Sequence, residues 1–323
     1  MPLYHRGLVI GKFMPVHQGH LALIQFAASH CEQLIVSMSY THEDPIPQTI
    51  RFNWLKEILK SYPAISVEVS LDDFDNTSLP LEERTKIWAT FIQKRFQPID
   101  VVISSEDYGA PFSHHLGAAN ILFDKVRSQF QISATQIRDR PLLHWKYIPD
   151  IVRPYFLKKV CFYGPESTGK SSMAKRMAEI YHSDFVPEVA REIVNSNDFT
   201  LDDIIQIGKA QTDRVLEKSQ TANRFLFCDT DLITTQVYCR HYLKEVPAIL
   251  YELEKRIQYD AYFLFEVDVP WIADGLRDLG DRRKEMFEVF KSELNQRKIK
   301  YHIVSGTWAE REAFIRAKLD ELI

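Results

Sequence analysis

Gly164-Pro165-Glu166-Ser167-Thr168-Gly169-Lys170-Ser171 follows the apolar run Val160-Cys161-Phe162-Tyr163 and precedes Met173, Ala174, Met177 and Ile180, which recur at helical spacing. A strand, a loop of the form G-x-x-x-x-G-K-[ST] and a helix, in that order, build a phosphate cradle. Successive backbone N–H groups wrap the anion, and the helix aims its positive end at the same charge. Glycine is required because the loop needs positive φ and because a side chain would block the approaching oxygens. Lys170 would then reach the β- and γ-phosphates and Ser171 would ligate Mg²⁺, with Gly164, Glu166, Ser167, Thr168, Gly169 and Ser172 completing a nucleotide site. In a chain with only 11 glycines, chance supplies such a match about once in a hundred sequences.

The same grammar opens the chain. Gly7-Leu8-Val9-Ile10 runs into Gly11-Lys12-Phe13-Met14-Pro15-Val16-His17-Gln18-Gly19-His20, followed by Leu21, Ile24, Ala27 and Ala28 at helical spacing. Further apolar runs at 34–38, 65–69 and 101–104 alternate with helical stretches at 51–60 and 81–96; the second half repeats the pattern with runs at 225–228, 262–266 and 301–304. A helix over 201–218 starts behind Thr200, with Asp203 at the capping-box position. Alternating strands and helices predict α/β architecture, with doubly wound parallel sheets covered on both faces.

The length of 323 residues suits two domains at roughly 150 residues each. Residues 140–154 carry three prolines and fit neither period, so the boundary falls near Pro154, giving domains 1–154 and 155–323 joined by a packed, aromatic connector. Hydrophobic residues at 45% and charged residues at 26% exclude a disordered chain. With 40 basic and 44 acidic residues the net charge is −4, which offers no global field for nucleic acid. Four cysteines without a CxxC pair suit reduced packing residues and a reducing cytosol. No apolar run approaches the ~18 residues of a membrane span, and the N-terminus reads as a strand rather than a secretory signal, so a cytoplasmic protein is expected.

Candidate partners for the phosphate cradle follow it. Phe225-Leu226-Phe227-Cys228-Asp229 is an apolar strand ending in a carboxylate that can hold Mg²⁺ or act on a substrate hydroxyl. Glu188 and Arg191 can bind a sugar hydroxyl or phosphate, or form an ordinary i,i+3 surface pair. Residues 274–283 bring Asp274, Arg277, Arg282 and Arg283 into a glycine-punctuated loop suited to neutralising phosphoryl charge, and Trp271 beside it can stack on a heterocycle or simply pack.

In the first half, His17 and His20 stand at the strand-to-helix junction, where N–H groups and the dipole favour an anion. No convincing third ligand accompanies them, which sets zinc aside. Near the end of this half, Ile132-Ser133-Ala134-Thr135-Gln136-Ile137-Arg138 can cap a short helix at Ser133 or Thr135 while Arg138 reaches the same face.

H-x-G-H after a first strand, with I-S-x-T-x-I-R later, resembles the adenylyltransferases of the nucleotidyltransferase superfamily. With the P-loop half, Asp229-Thr230-Asp231 and the D-G-L-R loop, the chain from about residue 7 onward resembles the bifunctional NadR-type proteins. The resemblance implies a Rossmann-like nucleotidyltransferase domain followed by a P-loop kinase domain. The first would join ATP to nicotinamide mononucleotide, giving NAD and pyrophosphate; the second would phosphorylate nicotinamide riboside with ATP, both with Mg²⁺. It places His17, His20, Lys12 and Arg138 on the phosphates of ATP, and Gly11, Phe13, Met14, Ser133 and Thr135 around the nucleotide. Arg51 is a further phosphate candidate and Trp88 a candidate stacking partner for nicotinamide; either can instead be structural. Some relatives carry an N-terminal DNA-binding helix-turn-helix; here the first strand begins within a few residues of Met1, so small-molecule partners are expected and nucleic acid or membrane is not. A homo-oligomer is left open. Two alternatives stand beside this reading: another phosphorylated acceptor for the first domain, or a nucleotide sensor that transfers nothing.

Overall fold

The computed structural model describes residues 2–194, 196, 198–272 and 279–323. The chain divides into two compact units, Met1–Val152 and Arg153–Ile323.

The first unit holds five strands: β1 (Tyr4–Gly11), β2 (Cys31–Tyr40), β3 (Ile65–Leu71), β4 (Val101–Ser104) and β5 (Ala119–Leu122). All pair in parallel in the order β3-β2-β1-β4-β5. The order reverses beside β1, and in such sheets ligands bind at the carboxyl ends of the strands next to that reversal. β1, β2 and β4 are the apolar centre: Leu8, Val36 and Val102 are fully buried, as a sheet covered on both faces requires. The helices Gln18–His30, Gln48–Leu59 and Leu81–Arg95 supply the crossovers. In the connector, Leu142, Trp145, Ile148 and Val152 are buried in the first unit.

The second unit holds β6 (Lys158–Tyr163), β7 (Asp184–Val186), β8 (Phe225–Asp229), β9 (Ala261–Phe265) and β10 (His302–Val304), parallel in the order β10-β9-β6-β8-β7. Phe162, Phe227, Phe263 and Phe265 fill the sheet's interior. The helix Leu201–Lys218 carries the capping box at Thr200 and Asp203. No helix among the described residues is long and apolar enough to cross a membrane.

Candidate active sites

β1 ends at Gly11, and the following loop turns back so that His17 caps the helix Gln18–His30 without a side-chain cap bond. That frees both rings for each other. His17 and His20 stack with centroids 3.7 Å apart, and Phe13 packs edge-on against His20 at 5.0 Å. Nδ1 of each histidine is buried with no partner among the described residues. Burial, with the charge of Arg127, lowers His17 to about 4; burial, then His17 and Arg127, hold His20 well below the usual range. Both rings are therefore neutral at pH 7, and an arriving phosphate would favour their protonation.

The short helix Ala134–Asp139 is capped by Ser133 through a capping box with Gln136. Arg138 donates to the carbonyl of Met14 and, at 3.1 Å, to Thr135 Oγ1, tying this helix to the histidine loop. Beside the loop opens a cavity of about 220 Å³ lined by Lys12, Asp72, Asp75, Trp88, Glu106 and Tyr108, among others. Asp75 accepts from Trp88 Nε1 at 3.1 Å and holds Arg84 through two bonds, fixing the indole at the cavity wall. Phe13 is itself buried, so only its backbone can face a ligand.

Arg51, read from the sequence as a phosphate candidate or a structural residue, is fully buried. Its Nη1 donates to the carbonyls of Lys12 (2.6 Å) and Ser39 (3.4 Å), and its Nη2 meets Asp44 at 2.7 Å. Asp44 in turn reaches Lys12 Nζ at 3.5 Å. A desolvated guanidinium needs such partners, and here they make Arg51 the support of Lys12.

In the second unit the 164–171 loop joins β6 to the helix Lys170–Tyr181. Gly164 has φ +128° and Gly169 φ +87°, left-handed positions that no β-branched residue would accept. Thr168 Oγ1 and Lys170 Nζ both donate to the carbonyl of Pro165, at 2.9 and 2.5 Å, bracing the loop from within. β8 lies next to β6 with Asp229 level with Phe162, and this register sets Asp229 beside the loop, near the Ser171 side chain. Asp229 Oδ1 is buried with no partner among the described residues. Burial, then the Glu188 carboxylate, holds Asp229 above the usual carboxylate range. A buried carboxylate with an unpartnered oxygen, beside a serine hydroxyl, is a donor set that fits Mg²⁺.

A cavity of about 190 Å³ lies against this loop, lined by Glu188, Arg191, Gln211, Thr230, Thr234 and Tyr238 besides residues 166–172. Glu188 and Arg191 do form the i,i+3 pair, at 3.1 Å, and do so in the cavity wall. Trp271 is about one-third exposed and leans on Glu166 at 3.4 Å, outside the residues lining the cavity. Asp274 and Arg277 lie outside the described residues.

The sequence models divide the chain as the sheets do: a cytidylyltransferase-like model matches residues 8–140 and an AAA-domain model residues 159–311. The trifunctional NAD biosynthesis/regulator protein NadR of Escherichia coli K12 is 31% identical over 326 residues, covering 91% of this chain and 77% of that protein. The chain belongs to the NadR family. Its first unit also resembles the nicotinamide-nucleotide adenylyltransferase of Thermococcus kodakarensis, 28% identical over 140 residues, or 42% of this chain and 71% of that one. Among solved structures, NadR protein in complex with NR superposes with a TM-score of 0.79 at 22% identity, covering 99% of this chain and 97% of the other, a likeness of fold.

In this NadR-family chain two of the expected loop arginines part ways. Arg282 is half exposed and pairs with Glu285 at 2.6 Å; Arg283 reaches inward to the carbonyls of Ser167 (3.1 Å) and Val269 (3.0 Å). The helix Arg283–Gln296 begins here, and its phase, not its composition, decides which arginine meets the loop. Sequence reasoning also missed Arg311. Fully buried, it donates to Gly306 O (2.9 Å) and Thr168 O (2.7 Å) and pairs with Asp268. Asp231, the last residue of the Asp229-Thr230-Asp231 stretch, caps the helix Leu232–Leu243 and accepts from Tyr262 at 2.9 Å.

Proposed function

We propose that this chain is a two-activity NAD salvage enzyme. The second unit transfers the γ-phosphoryl group of ATP to the 5′-hydroxyl of nicotinamide riboside, and the first transfers the adenylyl group of ATP to the resulting nicotinamide mononucleotide, releasing pyrophosphate. The observation that carries the reading is that each unit has its own phosphate-binding turn at the carboxyl edge of its sheet, each beside its own cavity. The relatives' names agree with NAD biosynthesis and with adenylyl transfer by the first unit.

In the kinase unit, Asp229 accepts the proton of the riboside hydroxyl as its oxygen attacks phosphorus, and Glu188 and Arg191 orient the sugar. Lys170 leaves the Pro165 carbonyl for the β- and γ-phosphates. Mg²⁺, held by Ser171 and Asp229, would neutralise charge on those oxygens. In the transferase unit, the mononucleotide's phosphate attacks the α-phosphorus without a covalent enzyme intermediate. His17 and His20 donate to the phosphates in flight, and Lys12 and Arg138 stabilise the departing pyrophosphate. Trp88 offers its ring to nicotinamide. All four cysteines are free and buried, which suits a cytoplasmic enzyme.

Chromatography of products tests the proposal. Riboside with ATP should give mononucleotide and ADP, then NAD and pyrophosphate; mononucleotide alone should go directly to NAD. An unchanged riboside, or adenylylation confined to a different acceptor, overturns the reading.

A further inference from the structure

Charge bookkeeping at the histidine turn leaves a demand that the residues already assigned do not meet. A nucleoside triphosphate brings about four negative charges to this site at neutral pH. Both imidazoles there are neutral in the free protein, Arg51 is enclosed, and the two cations assigned to the pyrophosphate, Arg138 and Lys12, also hold Met14, Thr135 and Asp44. A further cation stands close by. The loop after β5 folds against the turn: a Cβ on Gly19 would lie 3.1 Å from the His17 ring and 3.6 Å from Cβ of Phe130.

That loop is built to hold Arg127 in one place. Asp124 accepts from Ser128 N and Oγ at 2.7 Å and from Gln129 N at 3.0 Å, and its carbonyl accepts from Arg127 N at 2.8 Å. Arg127 takes the left-handed conformation, φ +53°, which an arginine adopts only when its surroundings impose it. Its guanidinium meets the carbonyl of Ile132 at 3.4 Å and Glu106 at 3.5 Å, both long contacts, and the side chain is 45% exposed. An exposed ion pair of this length is weak, and Glu106 lines the transferase cavity.

We propose that Arg127 is a phosphate-binding residue of the adenylyl-transfer site, exchanging Glu106 for the polyphosphate chain of the bound nucleotide. A guanidinium suits this exchange because its fork takes two phosphate oxygens at once. The charge of Arg127 also reaches both imidazoles, which agrees with its place across the turn from them. The inference rests on the adenylyl-transfer reading above.

The test is Arg127→Ala and Arg127→Lys in the full chain, with steady-state kinetics in both directions. For Arg127→Ala, KM for ATP in adenylyl transfer and KM for pyrophosphate in the reverse reaction should each rise at least tenfold. KM for nicotinamide mononucleotide should stay within twofold, and riboside phosphorylation by the same preparation should match wild type. Arg127→Lys should recover part of the loss. Unchanged ATP and pyrophosphate constants would overturn the proposal, as would an equal rise for all three ligands with an earlier thermal inactivation, which marks a purely structural role. Wild-type protein that forms no NAD from the mononucleotide would instead overturn the adenylyl-transfer reading itself, and this inference with it.

Discussion

The imidazoles of His17 and His20 stack 25° from parallel with both Nδ1 atoms buried. Two protonated rings at that spacing repel, so the native first unit resists taking up protons that the unfolded chain accepts. With His17 lowered from 6.5 to about 4, its contribution to stability is complete above pH 6.5 and is lost as the pH falls toward 4. Linkage puts the loss from His17 alone at ~2 kcal/mol by pH 5, a fall of about 4–8 °C in melting temperature for a unit of this size. Thermal inactivation of adenylyl transfer should show the drop, and His17→Asn should lessen it. An inactivation temperature unaffected between pH 7 and 5 contradicts neutral, buried rings.

Trp88 presents its indole at the transferase cavity through its bond to Asp75. Stacking of this kind contributes about 0.5–1.5 kcal/mol, so Trp88→Ala should raise KM for nicotinamide mononucleotide by about two- to twelvefold and leave KM for ATP near wild type. Trp88→Phe should retain most of the affinity. Initial-rate measurements with each substrate varied in turn decide the matter.

Asp229 is assigned the proton of the riboside hydroxyl. Asp229→Asn keeps the shape and removes the base, so kcat for riboside phosphorylation should fall by roughly 10²–10³-fold. Because the wild-type carboxylate is buried with an unpartnered oxygen, the amide should not lower the thermal stability of the second unit. Adenylyl transfer by the same protein serves as the internal standard.

Arg311 joins the helix Trp308–Asp320 to the phosphate loop through Thr168, and to Asp268. Arg311→Ala takes the cation from Asp268, which keeps the Gly306 N–H, and removes a donor from two carbonyls, a loss of about 2–4 kcal/mol. Riboside phosphorylation should then inactivate about 10 °C earlier on heating, with adenylyl transfer keeping its wild-type inactivation profile.

What the sequence made legible was backbone chemistry. The 164–171 loop and the 11–20 turn could be read directly because glycine placement and helix onset fix where an anion can sit, and the Thr200–Asp203 box because capping is local. β5 was not legible: Ala119-Asn120-Ile121-Leu122 is a four-residue edge strand, partly exposed and without a clear period. The choice of Arg283 over Arg282 depends on helix phase, and the burial of Arg51 depends on carbonyls contributed by Lys12 and Ser39, far away in the chain. Arg127 carries no motif. Its place comes from a loop whose packing against Gly19 is a tertiary contact.

The central claim is that one chain carries two independent nucleotide sites. Titration calorimetry with AMP-PNP and Mg²⁺, without acceptor, measures it directly. Wild-type protein should bind two equivalents per chain, Lys170→Ala one, and Lys170→Ala combined with His20→Ala none at the same concentrations. A single equivalent bound by wild type, abolished by Lys170→Ala alone, would contradict the account.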